Sequence, residues 1–276
     1  MPNLNHETRR RLAVPLALVG LGMLACSLLF VSGGSAHGQP MQVSTNPADI
    51  AAGQVLYVQH CQSCHGPQGE GGVPGAPVLV NVGAAAADFY LTTGRMPLND
   101  PGNEPLRHHP FFNPTQIGQL NAYIAALPVI TDQPPAGPDI PTVLPRCPTA
   151  TPAPGCVTLT EGQQLFAINC AQCHQAAGSG GMLSKGNVIP SLHNANKVQA
   201  AEAMRIGPPP MPVIGPNELS DHQVSAIAQY VQYLHQPSNP GGLGITHFGP
   251  VAEGFVGILF GFFVLLFAVR MIGTRG

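Results

Sequence analysis

Gly53-Gln54-Val55-Leu56 leads into Cys61-Gln62-Ser63-Cys64-His65, and Gly162-Gln163-Gln164-Leu165 leads into Cys170-Ala171-Gln172-Cys173-His174. Both elements recur at an offset of 109 residues. Downstream, Gly94-Arg95-Met96-Pro97 has a counterpart in Gly207-Pro208-Pro209-Pro210-Met211-Pro212, and IGQLNAYIAAL (117–127) has one in VSAIAQYVQYL (224–234). Three matches in the same order make the middle of the chain two copies of one small domain. Each copy opens with a helix whose apolar positions precede the cysteines: Val55, Leu56 and Val58 in the first, Leu165, Phe166 and Ile168 in the second. Each closes with a helix started by a capping residue, Asn113 or Thr115 in the first copy and Ser220 in the second, where Gln223 completes a capping box. The intervening loops, rich in Gly and Pro, are expected to carry little regular structure. The expected fold class is all-α.

Cys-x-x-Cys-His is the pattern of c-type haem attachment. The spacing follows from the chemistry: the two thiols add to the haem vinyl groups, and the adjacent imidazole is carried beneath the macrocycle to bind iron. Cys61, Cys64, Cys170 and Cys173 are therefore the expected covalent haem ligands, and His65 and His174 the expected axial ligands. A zinc site would want two further thiolates or imidazoles per motif, and a thioredoxin-like site a βαβ frame; the sequence offers neither. The sixth iron ligand should come from the loop before the last helix of each copy. Met96 and Met211 stand at matching Met-Pro positions there, with Met182 and Met204 as rivals in the second copy. His/Met ligation raises the reduction potential relative to two imidazoles and leaves no open position for a substrate.

The rest of the 276 residues frames these copies. Residues 12–31 form an uncharged apolar stretch behind Arg9, Arg10 and Arg11, either a retained anchor or an export signal ending near residue 36. Cys26, within it, reads as a buried helix cysteine. A second apolar segment, 254–269, is closed by Arg270 and Arg275 and is long enough with its flanks to span a bilayer. Basic residues concentrated at both ends put the termini in the cytoplasm if the first segment is retained, and the middle outside. That middle holds 6 basic and 11 acidic residues, which excludes nucleic acid as a partner. Nine prolines between 128 and 155 make a stiff connector. Cys147 and Cys156, inside and at the exit of it, are the expected disulfide in an exported protein. The expected organisation is an N-terminal segment 1–36, a first domain 47–128, a connector 129–156, a second domain 157–237 and a transmembrane helix 250–272. Aromatics are 6% of the chain and Trp is absent, so a covalently held macrocycle would supply the missing core filler.

The two Cys-x-x-Cys-His domains, followed by the anchor beginning Gly249-Pro250-Val251-Ala252-Glu253-Gly254, resemble the dihaem cytochrome c subunit of the menaquinol:cytochrome c reductase (cytochrome bcc complex) of high-GC Gram-positive bacteria. The resemblance covers nearly the whole chain. It implies two tandem class I cytochrome c domains with two covalently bound haem c groups, in the cell membrane, with the haem domains on the extracytoplasmic side. It further implies a cytochrome b subunit and a Rieske iron–sulfur subunit as partners, and delivery of electrons to the copper centre of an aa3-type cytochrome c oxidase in aerobic respiration. Two other classes share the motifs. One is a different membrane-anchored dihaem carrier, such as an oxidase subunit; the other is a dihaem redox enzyme, which would need an open or unusual iron ligand.

Overall fold

Each copy is organised around two helices that cross at a glycine. The computed structural model describes residues 43–128, 137–183, 186–238 and 250–273. Residues 1–36, with Arg9 to Arg11 and Cys26, lie outside the described residues, as do Arg275 and the connector's 129–136. In the first copy, α1 (Pro47–His60) starts at Asn46, whose side chain accepts from the Ala48 N–H at 3.0 Å, with Pro47 at the first helical position. After a one-turn helix α2 (Gln62–His65) come α3 (Ala84–Thr92) and α4 (Pro114–Ala125). Asn113 caps α4, and the Gln116 side chain closes a capping box. The second copy repeats this as α5 (Leu159–Asn169), α6 (Ala171–His174), α7 (Lys197–Ile206) and α8 (Asp221–Leu234), with Ser220 and Gln223 boxing α8.

The crossing explains the glycines that open each repeat. A Cβ on Gly53 would lie 2.0 Å from the Gln119 carbonyl oxygen of α4, and one on Gly162 would lie 2.2 Å from the Ala226 carbonyl oxygen of α8. One turn on, Tyr57 packs on Tyr123 and Phe166 on Tyr230, ring centroids 5.1 and 5.3 Å apart. Tyr57 and Phe166 are buried, and burying a ring of this size contributes about 1.5–3 kcal/mol. The expected apolar stripe holds at Phe166, and Leu56 and Leu165 pack against the cores, but it needs correcting at three positions. Val55 and Val58 are 56% and 52% exposed and Ile168 is 69% exposed. The buried stripe is Gly53 with Tyr57, and Gly162 with Phe166, four apart and on one face; the valines sit on the other.

The segments between these helices also depart from expectation, because α3 and α7 are regular helices and a two-residue hairpin, β1 (Gly181–Met182) with β2 (Val188–Ile189), pairs antiparallel in the second copy. The two helices pack on one another and make the junction between the copies. Arg107 Nη2 donates to the Asn194 carbonyl at 2.6 Å and to Gln199 Oε1 at 2.7 Å. Gln199 Nε2 in turn donates to Thr92 Oγ1 at 3.2 Å. Deeper in the contact, Asp88 of α3 and Glu202 of α7 are both buried, and Asn121 Nδ2 donates to Asp88 at 2.7 Å.

The connector is tied to both copies. The Gly137 N–H donates to the Asn81 carbonyl at 2.7 Å and the Ala85 N–H to the Pro138 carbonyl at 3.1 Å, on the first copy. On the second, the Leu144 N–H donates to Ser225 Oγ at 3.1 Å and Gln229 Nε2 to the Leu144 carbonyl at 2.7 Å. Cys147 and Cys156 are joined, with an S–S distance of 2.03 Å, beside a parallel bridge between Arg146 and Val157. The last described element, α9 (Pro250–Gly273), contains the apolar run Gly254–Gly273 of mean hydropathy 2.5, whose residues are exposed throughout. A helix of that length with no apolar face covered fits a membrane anchor.

Candidate cofactor site

The break between α1 and α2 turns the cysteines and histidine onto one side. The Cys61 N–H ends α1 on the Tyr57 carbonyl at 2.8 Å, and the Cys61 carbonyl then accepts from the Cys64 and His65 N–H groups at 3.1 and 3.0 Å. Cys170, Cys173 and His174 repeat the geometry at 3.2 and 2.9 Å. Each imidazole is oriented by a proline carbonyl, His65 Nδ1 by Pro77 at 2.8 Å and His174 Nδ1 by Pro190 at 3.2 Å. A carbonyl can only accept, so Nδ1 carries the proton and Nε2 keeps its lone pair for a metal. Burial, opposed by the Pro190 contact, pushes the His174 imidazole below its ordinary pKa, which favours the neutral ring.

Both motifs open onto one cavity of about 870 Å³, lined in the first copy by Cys61, His65 and Met96 and in the second by Cys170, His174 and Met211. The volume lies at the upper end of the range for small-molecule sites. Met96 packs against the core around Tyr57 and Leu120, and Met211 against the core around Phe166 and Ile227. Of the rival methionines, Met182 is exposed and away from the cavity, while Met204 is buried and lines it. Two histidines outside the motifs make backbone contacts, His193 Nε2 with the Ala177 carbonyl and His235 Nε2 with the Leu192 carbonyl.

Burial, and then the neighbouring thiol, push Cys61 and Cys170 up to about 11. Redox-active and zinc-binding cysteines need the opposite shift. Among the described residues no cluster of three His, Cys, Asp or Glu could hold a metal ion.

A haem fits this space on an independent observation. Arg95 lines the cavity, and its Nη1 is buried without a hydrogen-bond partner. Its guanidinium carbon sits 5.0 Å from the centroid of the Phe89 ring. A macrocycle with an apolar body and two carboxylates would fill the apolar walls and pair that cation. Sequence reading passes over Arg95 and Arg107, although both lie in the Met96 loop region of a middle portion with only six basic residues. That scarcity was the available signal.

A family profile described as "Cytochrome c" matches residues 50–128, and one described as "Cytochrome C oxidase, cbb3-type, subunit III" matches residues 157–231. The "Cytochrome bc1 complex cytochrome c subunit" of Mycobacterium leprae is 34% identical over 263 residues, which cover 92% of this chain and 87% of that protein. The protein of the same name from Mycobacterium bovis is 33% identical, covering 98% and 94%. That of Corynebacterium efficiens is 30% identical, covering 96% and 88%.

Proposed function

The chain belongs to the family of cytochrome bc1 complex cytochrome c subunits, and from that premise we propose that it is the dihaem electron carrier of a membrane quinol:cytochrome c reductase, linking a Rieske iron–sulfur protein to the copper centre of an aa3-type oxidase. Cys61 and Cys64 would tether one haem c and Cys170 and Cys173 the other, with His65 and Met96, and His174 and Met211, as the axial pairs. Each bound haem supplies one-electron exchange at an iron with no vacant coordination position. The chain's own residues supply the surroundings. The Pro77 and Pro190 carbonyls hold the imidazoles in the ligating tautomer. Apolar side chains such as Leu91 and Ile227 line the walls and exclude water. The connector, bonded to both copies, holds the two sites at a fixed separation.

One observation carries this reading: both Cys-x-x-Cys-His motifs and both Met-Pro methionines face a single cavity. Two axial side chains per iron, a His with a Met, suit electron transfer over substrate chemistry. The apolar α9, closed by Arg270, supports a membrane position with the haem domains extracytoplasmic. Purification through a C-terminal tag in mild detergent tests the assignment. Cytochrome b, a Rieske protein and an aa3-type oxidase are expected to co-purify; recovery of the cytochrome alone overturns it in favour of a free carrier.

A further inference from the structure

Two cations face the shared cavity, and Glu104, the one carboxylate on its wall among the described residues, pairs with neither. Arg95 and Arg107 both line it. Arg95 Nη1 is buried and unpartnered, and Arg107 donates to neutral acceptors of the second copy, the Asn194 carbonyl and Gln199 Oε1. The ion pairs among the described residues are Arg205 with Asp221 and His222 with Glu161, so neither cavity arginine has a carboxylate. Burial, and then the charge of Arg95, push the Arg107 guanidinium below its ordinary pKa. Desolvated cations side by side are unfavourable unless an anion joins them.

The repeat adds an asymmetry. Where the first copy has Arg95 before its Met-Pro, the second has Pro208 to Pro210. Arg205 of the second copy is turned to the Ile214 carbonyl and Asp221. Among the described residues of the second copy, no Arg or Lys lines the cavity. Among the described residues, the cavity cation bonded to the second copy is Arg107, which reaches in from the first copy to Asn194 and Gln199.

We infer that Arg95 and Arg107 form a carboxylate-binding site at the junction, Arg95 for the propionates of the first haem and Arg107, a first-copy residue, for those of the second. The inference rests on the reading that each copy holds a haem. A planar guanidinium suits bidentate pairing with a carboxylate. Neutralising the propionates removes negative charge that would otherwise stabilise ferric iron, so loss of either arginine lowers the reduction potential of its haem.

The test uses the full-length holoprotein in detergent. Haem content is measured first, and fewer than two haems in the unaltered protein would remove both the dihaem reading and this inference. With two haems present, a two-component optical redox titration is expected to show Arg95→Gln lowering one midpoint and Arg107→Gln lowering the other. Redox-difference infrared spectra of protein with isotope-labelled propionates should show the carboxylate band shifted in each. Arg107→Lys keeps the charge and loses the planar fork, so it should retain the midpoint and still shift the band. Gln199→Ala, which removes the neutral contacts to Arg107 and Thr92 together with the capping-box contact to the Asn196 N–H, should leave both midpoints in place. Unshifted carboxylate bands in the arginine variants, both variants moving the same midpoint, or Gln199→Ala reproducing the Arg107→Gln shift would each overturn the inference while leaving the dihaem reading intact.

Discussion

The carboxyl of Glu202 lies against that of Asp88 across the contact between α7 and α3, so each copy places one acid in the buried junction. Asn121 donates to Asp88, while neither Glu202 oxygen meets a donor; a proton shared between the carboxyls supplies one. Burial raises the pKa of both, and for Glu202 the charge of Asp88 adds to it. The folded junction therefore keeps protons that the unfolded chain releases above the ordinary carboxylate range, and its stabilising contribution falls as pH rises. Glu202→Gln provides a permanent donor. Thermal melts from about pH 5 to about pH 8 should show a flatter pH dependence, with a gain at the alkaline end on the order of 1–3 kcal/mol. A pH slope equal to that of the unaltered protein would sink the shared-proton account.

Met96→Ala and Met211→Ala each remove one proposed sulfur ligand. Each variant is expected to lose about half of the sulfur-to-iron charge-transfer absorption and to show one lowered midpoint, with haem content unchanged. If Met211→Ala leaves the spectrum intact, Met204, which also lines the cavity, becomes the ligand to replace.

Gly53→Ala and Gly162→Ala force a methyl group into a backbone carbonyl across a helix crossing. Either change should destabilise its own copy by about 1–3 kcal/mol, the range for overpacking, read by denaturant melts followed by circular dichroism. Gly118, in the same helix pair, has open space where a Cβ would go. Gly118→Ala should stabilise by about 0.5–1 kcal/mol, and equal losses at all three positions would refute the crossing argument.

The Cys147–Cys156 bridge closes a short loop of the connector against the start of the second copy. Replacing both cysteines with serine should lower stability by about 2–3 kcal/mol on loop-closure entropy, in the melting of the second copy. A loss spread equally over both copies would mean that the connector braces the pair as a whole.

The parts of this fold that chemistry fixes locally were legible in the chain. Cys-x-x-Cys-His and the Met-Pro pairs announce themselves by spacing, and Ser220 with Gln223 marks a helix start by hydrogen-bonding logic. The helices α3 and α7 were missed for different reasons. Ala84 to Ala87 shows no polar alternation and follows Gly83, which offers no side-chain cap. Asn196 with Gln199 is a capping box as clear as that of Ser220, and residues 191–206 hold no Gly or Pro, so α7 is signalled locally against the expectation of little regular structure there. Val55, Val58 and Ile168 are apolar yet exposed, because the 100° step of the helix puts the glycine and the ring four residues on in register and leaves these three on the other face. Glu202 and the contacts that Arg107 makes across the junction carry no local signal, since their partners Asp88, Asn194 and Gln199 lie in the opposite copy.

One cavity serving two sites also has a consequence for assembly. Each copy is half of a two-part shell, and a copy made alone would present an apolar flank and stranded charges to water. Encoding both halves in one polypeptide delivers them in a fixed one-to-one ratio, and the short tether makes their meeting unimolecular. The shell should therefore close at a rate independent of how much protein is synthesised.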